Sequence, residues 1–568
     1  MPESPDNISA FRRNAVLGLF VLAFVLLGAR AFDLQILKQD FLRGEGDARH
    51  LRVVSIPAHR GMLLDRNGEP LAVSTPVDSV WANPRETLQS PERLRELAAV
   101  LGADHRELHR RLSERATREF VYLRRHVNPD VAARVQALGV PGVALQREFR
   151  RYYPMGEVAA HVLGFTNIDD QGQEGLELSL NRWLTGEPGA KRVLRDRLGR
   201  VIRDVENIRP ARPGKDVTLT LDQRVQYLAY RELKAAVQAH GARGGSLVIM
   251  DARNGDILAM ANQPAFNPNN RAGLVVEASR NRAATDVFEP GSTIKPFTVA
   301  AALESGAVRP DITLDTAPGM YRVGRHTIRD IRDYGRIDLA TLIAKSSNIG
   351  ATKLALDMEP EAMWGLLHRA GLGRSTGSGL PGEAPGLLRD FFYWREVDQA
   401  TLAFGYGLSV TPLQLARAYA ALANDGVMPA PRFVQGQQTR DVERVMSADT
   451  ARQIRRMLET AVSREGTGHR AAVESYRVAG KTGTVRKSGV GGYAEDRYVS
   501  MFAGMAPASA PRLVMVVTID EPAGEDYYGG QVAAPVFARV MQGALRLLDV
   551  APDDLPGLQQ VSAGEGAV

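Results

Sequence analysis

The chain of 568 residues has no cysteine at all. That excludes disulfides, thiolate nucleophiles and cysteine metal sites together, so neither a redox role nor a compartment can be read from thiols. Aromatic residues make up only 6%. Lysine-rich blocks are also missing: 71 basic and 65 acidic residues are interspersed, and the net charge of +6 does not call for a nucleic-acid partner. Long apolar runs are absent except for one near the start, between Asn14 and Ala29. What is present is an ordinary globular composition, 44% hydrophobic and 24% charged, in a chain longer than one hydrophobic core supports.

The single apolar run follows Arg12 and Arg13. It is shorter than the roughly 20 residues a spanning helix needs, but a snorkelling Arg30 extends it through Ala31 and Phe32. Ala29-Arg30-Ala31 also satisfies a small-x-small cleavage site. An arginine inside that site, and the helical pattern continuing through Phe32-Asp33-Leu34-Gln35-Ile36-Leu37, favour an uncleaved anchor over residues 14–32. The paired arginines place the tail 1–13 in the cytoplasm and the rest outside.

Downstream, residues 52–80 read as short strands with a hairpin turn at Asp65-Arg66-Asn67-Gly68, and 91–140 as helical. Residues 190–212 read as a basic two-stranded ribbon turning at Asp196-Arg-Leu-Gly199. After Pro213-Gly214 the pattern changes: Val217 to Leu221 is a strand, Asp222 caps a helix to about His240, and Ser246–Asp251 with Ile257–Ala261 form a hairpin. Strands recur at Tyr498–Ala506 and Leu513–Asp520, with helices between, including Ser292–Glu304, Leu339–Asp357, Pro412–Asp425 and Ser447–Ser463. The expected class is α+β: an anchor, an N-terminal mixed module at 45–212, a catalytic domain at 215–550 built as an antiparallel sheet with a helical body beside it, and a disordered tail at 551–568.

Three segments in that second domain carry chemistry: Ser292-Thr-Ile-Lys295, Ser346-Ser347-Asn348 and Lys481-Thr482-Gly483-Thr484. Each is weak alone. In this order they supply a nucleophile, a proton carrier and an anion clamp, the set used by serine β-lactamases and penicillin-binding proteins. Ser292 opens a helix, where amides and macrodipole favour an alkoxide and the oxyanion that follows. Lys295 lies on the same helix face, and it takes the Ser292 proton only when neutral, which burial and the nearby charge of Lys481 favour. Ser346 can relay a proton to the leaving amine, and Asn348 can hold a peptide carbonyl. Lys481-Thr-Gly-Thr should be an edge strand, with Gly483 keeping side chains clear of a substrate laid along it. Thr482 and Thr484 would bind a carboxylate beside Lys481, and the Thr484 amide would complete an oxyanion hole with that of Ser292. A bound peptide would then extend the sheet by one strand. Gly480-Lys481-Thr482 imitates a P-loop end, but Ser475 occupies the place of its first glycine.

With Ile56-Pro-Ala-His-Arg60-Gly-Met-Leu-Leu-Asp65-Arg-Asn-Gly, Gly172-Gln-Glu-Gly-Leu-Glu177 and Phe288-Glu-Pro-Gly-Ser-Thr-Ile-Lys-Pro296 added, the chain resembles the class B penicillin-binding proteins, most of all their division-specific members. The resemblance implies a peptidoglycan D,D-transpeptidase: Ser292 attacks the D-Ala-D-Ala bond of a stem peptide, releases D-Ala and passes the acyl group to a neighbouring stem amine, with no cofactor or metal. It implies that β-lactams acylate Ser292 and stay, since no Glu-x-x-Leu-Asn lies between Asn348 and Lys481 to activate water. It implies a pedestal docking the divisome, glycan polymerisation by an FtsW-type glycosyltransferase, a single-pass inner-membrane anchor and a periplasmic catalytic domain. Tyr498, Tyr527 and Tyr528 resemble aromatic residues lining the family's pocket, and Arg486 sits where a substrate carboxylate would be met. An elongation role, a sensor and a β-lactamase are the alternatives.

Overall fold

The computed structural model describes residues 6–39, 51–195, 201–437, 442–489 and 492–555. They form two compact units interleaved along the chain: residues 1–59, 76–150 and 186–213, and residues 60–75, 151–185 and 214–568.

In the first unit, helix α1 (Asp6–Phe32) runs into a π-helical turn, Asp33–Leu37, with Arg30 paired to Asp33 at 2.8 Å. The segment Ala10–Leu37 contains an 18-residue stretch with a mean hydropathy of 2.3 and is long and apolar enough to cross a membrane. Strand Gly189–Arg195 pairs antiparallel with Val201–Arg209, as the ribbon reading expects, and on its other side with Leu51–Ile56, so the two-stranded ribbon is part of a three-stranded sheet. The proposed turn at 196–199 lies outside the described residues. Residues 91–140 are not wholly helical: helices Pro91–Leu101, His105–Ser113 and Pro129–Leu138 are interrupted by strand Val121–Val127. There Val121 and Leu123 are buried while Tyr122 between them is not, a two-residue alternation that outweighs the helical pattern around it.

The second unit is built on a five-stranded antiparallel sheet. Its strands are β1 (Gly244–Asp251), β2 (Ile257–Gln263), β3 (Ala479–Gly489), β4 (Gly492–Ala506) and β5 (Leu513–Asp520), in the order β2-β1-β5-β4-β3. First and last parts of the chain segment thus share one sheet, and β3 is an edge. Helices cover both faces, not one. On one side α2 (Gln223–Ala239) and α8 (Ala534–Leu547) bury Leu247, Ile249, Met515 and Val517. On the other, α3 (Lys295–Glu304), α6 (Pro412–Ala423) and α7 (Ala448–Val462) enclose Val248, Met250, Val514 and Val516. Successive side chains of β1 and β5 therefore enter opposite cores, which explains why these strands read as unbroken apolar runs. Asp222 caps α2 by accepting from the amides of Arg224 and Val225.

The expected helix Leu339–Asp357 is two helices, α4 (Leu339–Lys345) and α5 (Asn348–Leu356), because Ser346 adopts left-handed backbone at φ 60°. Of the expected tail, 556–568 lies outside the described residues. Asp553 is anchored, accepting from the Arg477 amide at 2.7 Å and the Ser509 hydroxyl at 2.7 Å.

Candidate active site

Ser292 lies in a 3-10 turn, Gly291–Ile294, that leads directly into α3. Pro296 sits in the first helical turn, where a missing N–H leaves no carbonyl unpaired. The turn is pinned from the core by Tyr419, whose hydroxyl donates to the Thr293 carbonyl at 2.8 Å. On its outer side Gly291, at φ +51°, lies against Val485 of β3, and a Cβ there would come within 2.4 Å of the valine methyl.

The three motifs converge. The Ser346 hydroxyl donates to Ser292 Oγ at 3.0 Å. Lys295 Nζ donates to Ser346 Oγ at 3.1 Å, to the Ser346 carbonyl at 2.5 Å and to Asn348 Oδ1 at 2.7 Å. The link from Lys295 to Ser292 therefore runs through Ser346. The break between α4 and α5 makes this possible: the left-handed turn at Ser346 aims both its carbonyl and its hydroxyl at the ammonium. A continuous helix would have spent that carbonyl on its own ladder.

Lys295 and Lys481 are both fully buried. Burial, followed by the like charge of Lys481, holds the Lys295 pKa well below that of a free lysine. Burial alone brings Lys481 down to about 7. The Coulombic influence that raises Lys295 comes from Asp330, a residue the sequence reading missed. Its carboxylate accepts from the Ser347 hydroxyl at 2.5 Å and from the Asn348 and Ile349 amides at 2.6 and 3.1 Å, sealing the N-terminus of α5. No local signal points to it: Asp330 stands 17 to 19 residues before the groups it holds, and the acidic residue just ahead of a helix in this stretch is Asp338, which caps α4.

At Gly483 a Cβ would meet Met501 at 2.6 Å and Thr293 at 3.0 Å, so the glycine lets β3 close onto the turn that carries Ser292. The Thr482 hydroxyl donates to Thr467 Oγ1 at 3.0 Å, and the Gly529 amide donates to Thr484 Oγ1 at 2.9 Å, so both threonines already have protein partners. The second contact ties the segment carrying Tyr527 and Tyr528 to β3. Tyr498 stacks on Tyr527 with ring centroids 4.2 Å apart, and Tyr527 on Tyr528 at 4.5 Å. Tyr498 pairs across the ladder with Arg486, which is exposed. The tyrosine stack and Arg486 thus lie along the edge strand's outer half, beyond Thr484.

Comparisons with known proteins agree with this geometry. Residues 245–542 match the family model described as the penicillin binding protein transpeptidase domain, and residues 55–219 match the penicillin-binding protein dimerisation domain. The chain is 43% identical over 558 residues to the peptidoglycan D,D-transpeptidase FtsI of Escherichia coli, covering 97% of this chain and 94% of that one. It is 43% identical over 548 residues to the probable peptidoglycan D,D-transpeptidase PenA of Neisseria gonorrhoeae, covering 95% and 93%. The structure of penicillin binding protein 3 from Mycobacterium tuberculosis, solved in complex with aztreonam, is 30% identical with a TM-score of 0.69, covering 88% of this chain and 98% of that one. The chain belongs to the penicillin-binding protein transpeptidases, in the FtsI-like class B group that carries a dimerisation module ahead of the catalytic domain.

Proposed function

We propose that this protein is a septal peptidoglycan D,D-transpeptidase acting through an acyl-enzyme on Ser292. The observation that carries the reading is the hydrogen-bonded chain Ser292–Ser346–Lys295 lying beside a free sheet edge that bears a second buried lysine. A stem peptide ending in D-Ala-D-Ala pairs along β3 with its terminal carboxylate beside Lys481, Thr482 and Thr484. Neutral Lys295 receives the Ser292 proton through Ser346. The alkoxide attacks the penultimate carbonyl, and the oxyanion is held by the amides of Ser292 and Thr484. The proton returns through Ser346 to the departing nitrogen, the amide bond breaks, and D-Ala leaves. An amine from a neighbouring stem then attacks the ester, restoring the Ser292 hydroxyl and forming the cross-link. One amide replaces another, so no nucleotide is consumed. Asn348 would orient the stem's backbone, and Arg486 with Tyr498, Tyr527 and Tyr528 would meet its more distant parts.

The apolar helix α1 supports an uncleaved anchor with the catalytic unit in the periplasm, partnered by an FtsW-type glycosyltransferase and other divisome proteins. The carboxylate beside the nucleophile's relay, Asp330, is occupied in capping α5, which supports a long-lived adduct with β-lactams over hydrolysis. The test is intact mass spectrometry of the detergent-solubilised chain with a penicillin, followed over hours. A single persistent adduct on the parent and none on Ser292→Ala is expected. Clearance within seconds, or an adduct on the alanine variant, would overturn the assignment.

A further inference from the structure

Glu289 stands three residues before Ser292, and the mechanism above gives it no part. Its Oε1 accepts from the Gly407 amide at 2.8 Å and from the Tyr493 hydroxyl at 3.0 Å. Its Oε2 is buried and, among the described residues, has no hydrogen-bond partner. The influences on the side chain are burial, which raises its pKa, and those two donors, which lower it.

The position of this carboxyl group matters because of what it joins. On one side the nucleophile's turn is strapped to residues 405–410. Phe288 and Val410 exchange backbone hydrogen bonds of 3.0 and 2.9 Å, the Gly291 amide donates to the Gly405 carbonyl at 3.1 Å, and a Cβ on Gly405 would lie 2.1 Å from the Gly291 carbonyl oxygen. On the other side β3 runs past the turn, with Val485 against Gly291. Beyond Val485 the contact opens into a cavity of 160 Å³ lined by Phe288, Glu289, Arg486, Lys487 and Ser488. Tyr493 lies past that cavity, opposite Ser488 in the β3–β4 register. Its ring stands edge-on to Tyr406 at 5.5 Å, and its hydroxyl reaches back across the gap to Glu289. A hydrogen bond thus closes what packing leaves open.

We propose that Glu289 and Tyr493 form a positioning latch that fixes the outer half of the β3–β4 hairpin against the turn carrying Ser292, and so sets the spacing between the nucleophile and the substrate-binding edge beyond Thr484. The inference rests on the reading of Ser292 as the acylated residue. Both donors need one oxygen at the reach of a glutamyl side chain, and the other oxygen is unpaired. An uncharged amide of the same length therefore serves, whereas a charged but shorter side chain does not.

Stopped-flow acylation of the solubilised full chain by a fluorescent penicillin, resolved into the rate constant at saturation and the half-saturating concentration, tests this. Tyr493→Phe, which keeps the ring on Tyr406, and Glu289→Asp should each lower the rate constant about 3- to 10-fold, the worth of one hydrogen bond. Glu289→Gln should stay within about twofold of the parent, and the Tyr493→Phe/Glu289→Asp double variant should be no slower than the slower single one. Tyr493→Phe at the parental rate, Glu289→Gln as slow as Glu289→Asp, or a double variant whose losses multiply would each overturn the latch. A parent that is not acylated, or acylation that survives Ser292→Ala, would instead remove the functional reading and the latch with it.

Discussion

Lys481 shows how a single residue trades stability for chemistry. Its pKa of about 7 in the folded chain lies far below the ordinary value of about 10.4, so between those limits the unfolded state binds a proton that the folded state does not. Stability must then rise with pH from about 7 upward, and the full penalty is present below 7. Lys481→Met removes that penalty and fills the same space. It should raise the Tm by about 3 °C or more at pH 6, with the gain shrinking toward pH 10, while abolishing acylation. Thermal unfolding at the two pH values decides; a variant less stable than the parent at pH 6 would contradict the burial argument. The same residue bears on the rate. Acylation should rise as Lys295 loses its proton, well below the free-lysine range, and fall as the empty site's Lys481 loses its charge near pH 7, the two titrating as a pair. Lys481→Arg, which stays charged, should remove the falling limb from the pH profile of second-order acylation.

At the scale of elements, the break between α4 and α5 does the most for the site, and Asp330 maintains it. One carboxylate neutralises the first amides of α5 and holds Ser347, fixing the turn from which Ser346 faces Lys295. Asp330→Asn should cost about 1–2 kcal/mol of stability through the weakened cap and slow acylation about tenfold. It should also move the rising limb of the pH profile to lower pH, because the charge that raises Lys295 is gone. A rising limb that stays in place would show that Asp330 acts through structure alone. This break marks where the sequence stops being legible. The strands of the central sheet, the cap at Asp222 and the edge position of the Lys481 strand follow from local patterns of apolar residues, turns and caps. The left-handed turn at Ser346 does not, since serine has no strong preference for that conformation and the surrounding Leu-Ile-Ala and Ile-Gly-Ala read as one helix. Helices on both faces of the sheet, by contrast, were legible in principle: a strand covered on one face alternates apolar and polar residues, whereas β1 and β5 carry unbroken apolar runs because their successive side chains enter two cores. Thr482 and Thr484 were correctly placed on the edge strand, but their bonds to Thr467 and Gly529 come from segments that only the folded chain brings near.

At the scale of the whole molecule, the chain passes back and forth between its two units, and the catalytic unit depends on segments far upstream of its main span. Leu63, Leu71, Tyr153, Leu163, Leu176 and Leu184 belong to the same core as α3 and α6. They are held there by a buried ionic knot. Glu177, fully buried, accepts from Arg60 at 2.7 Å and from Arg151 at 2.6 Å, while Arg60 also donates to the Asp170 carbonyl, Asn181 and Thr185. Two guanidiniums sharing one carboxylate in a dry core make its removal asymmetric: the attraction lost is accompanied by two charges left without their anion. Glu177→Ala should therefore lower stability by about 3–5 kcal/mol, and Glu177→Gln, which keeps two acceptor sites on one oxygen but no charge, should lose less. None of the knot residues touches Ser292, so the acylation rate measured well below the unfolding transition should stay within about twofold of the parent for both variants. Calorimetry beside low-temperature acylation separates the two effects. A Glu177→Ala chain that melts with the parent would mean the upstream segments are passengers on the catalytic unit, and one that folds but is not acylated would mean that they shape the site itself.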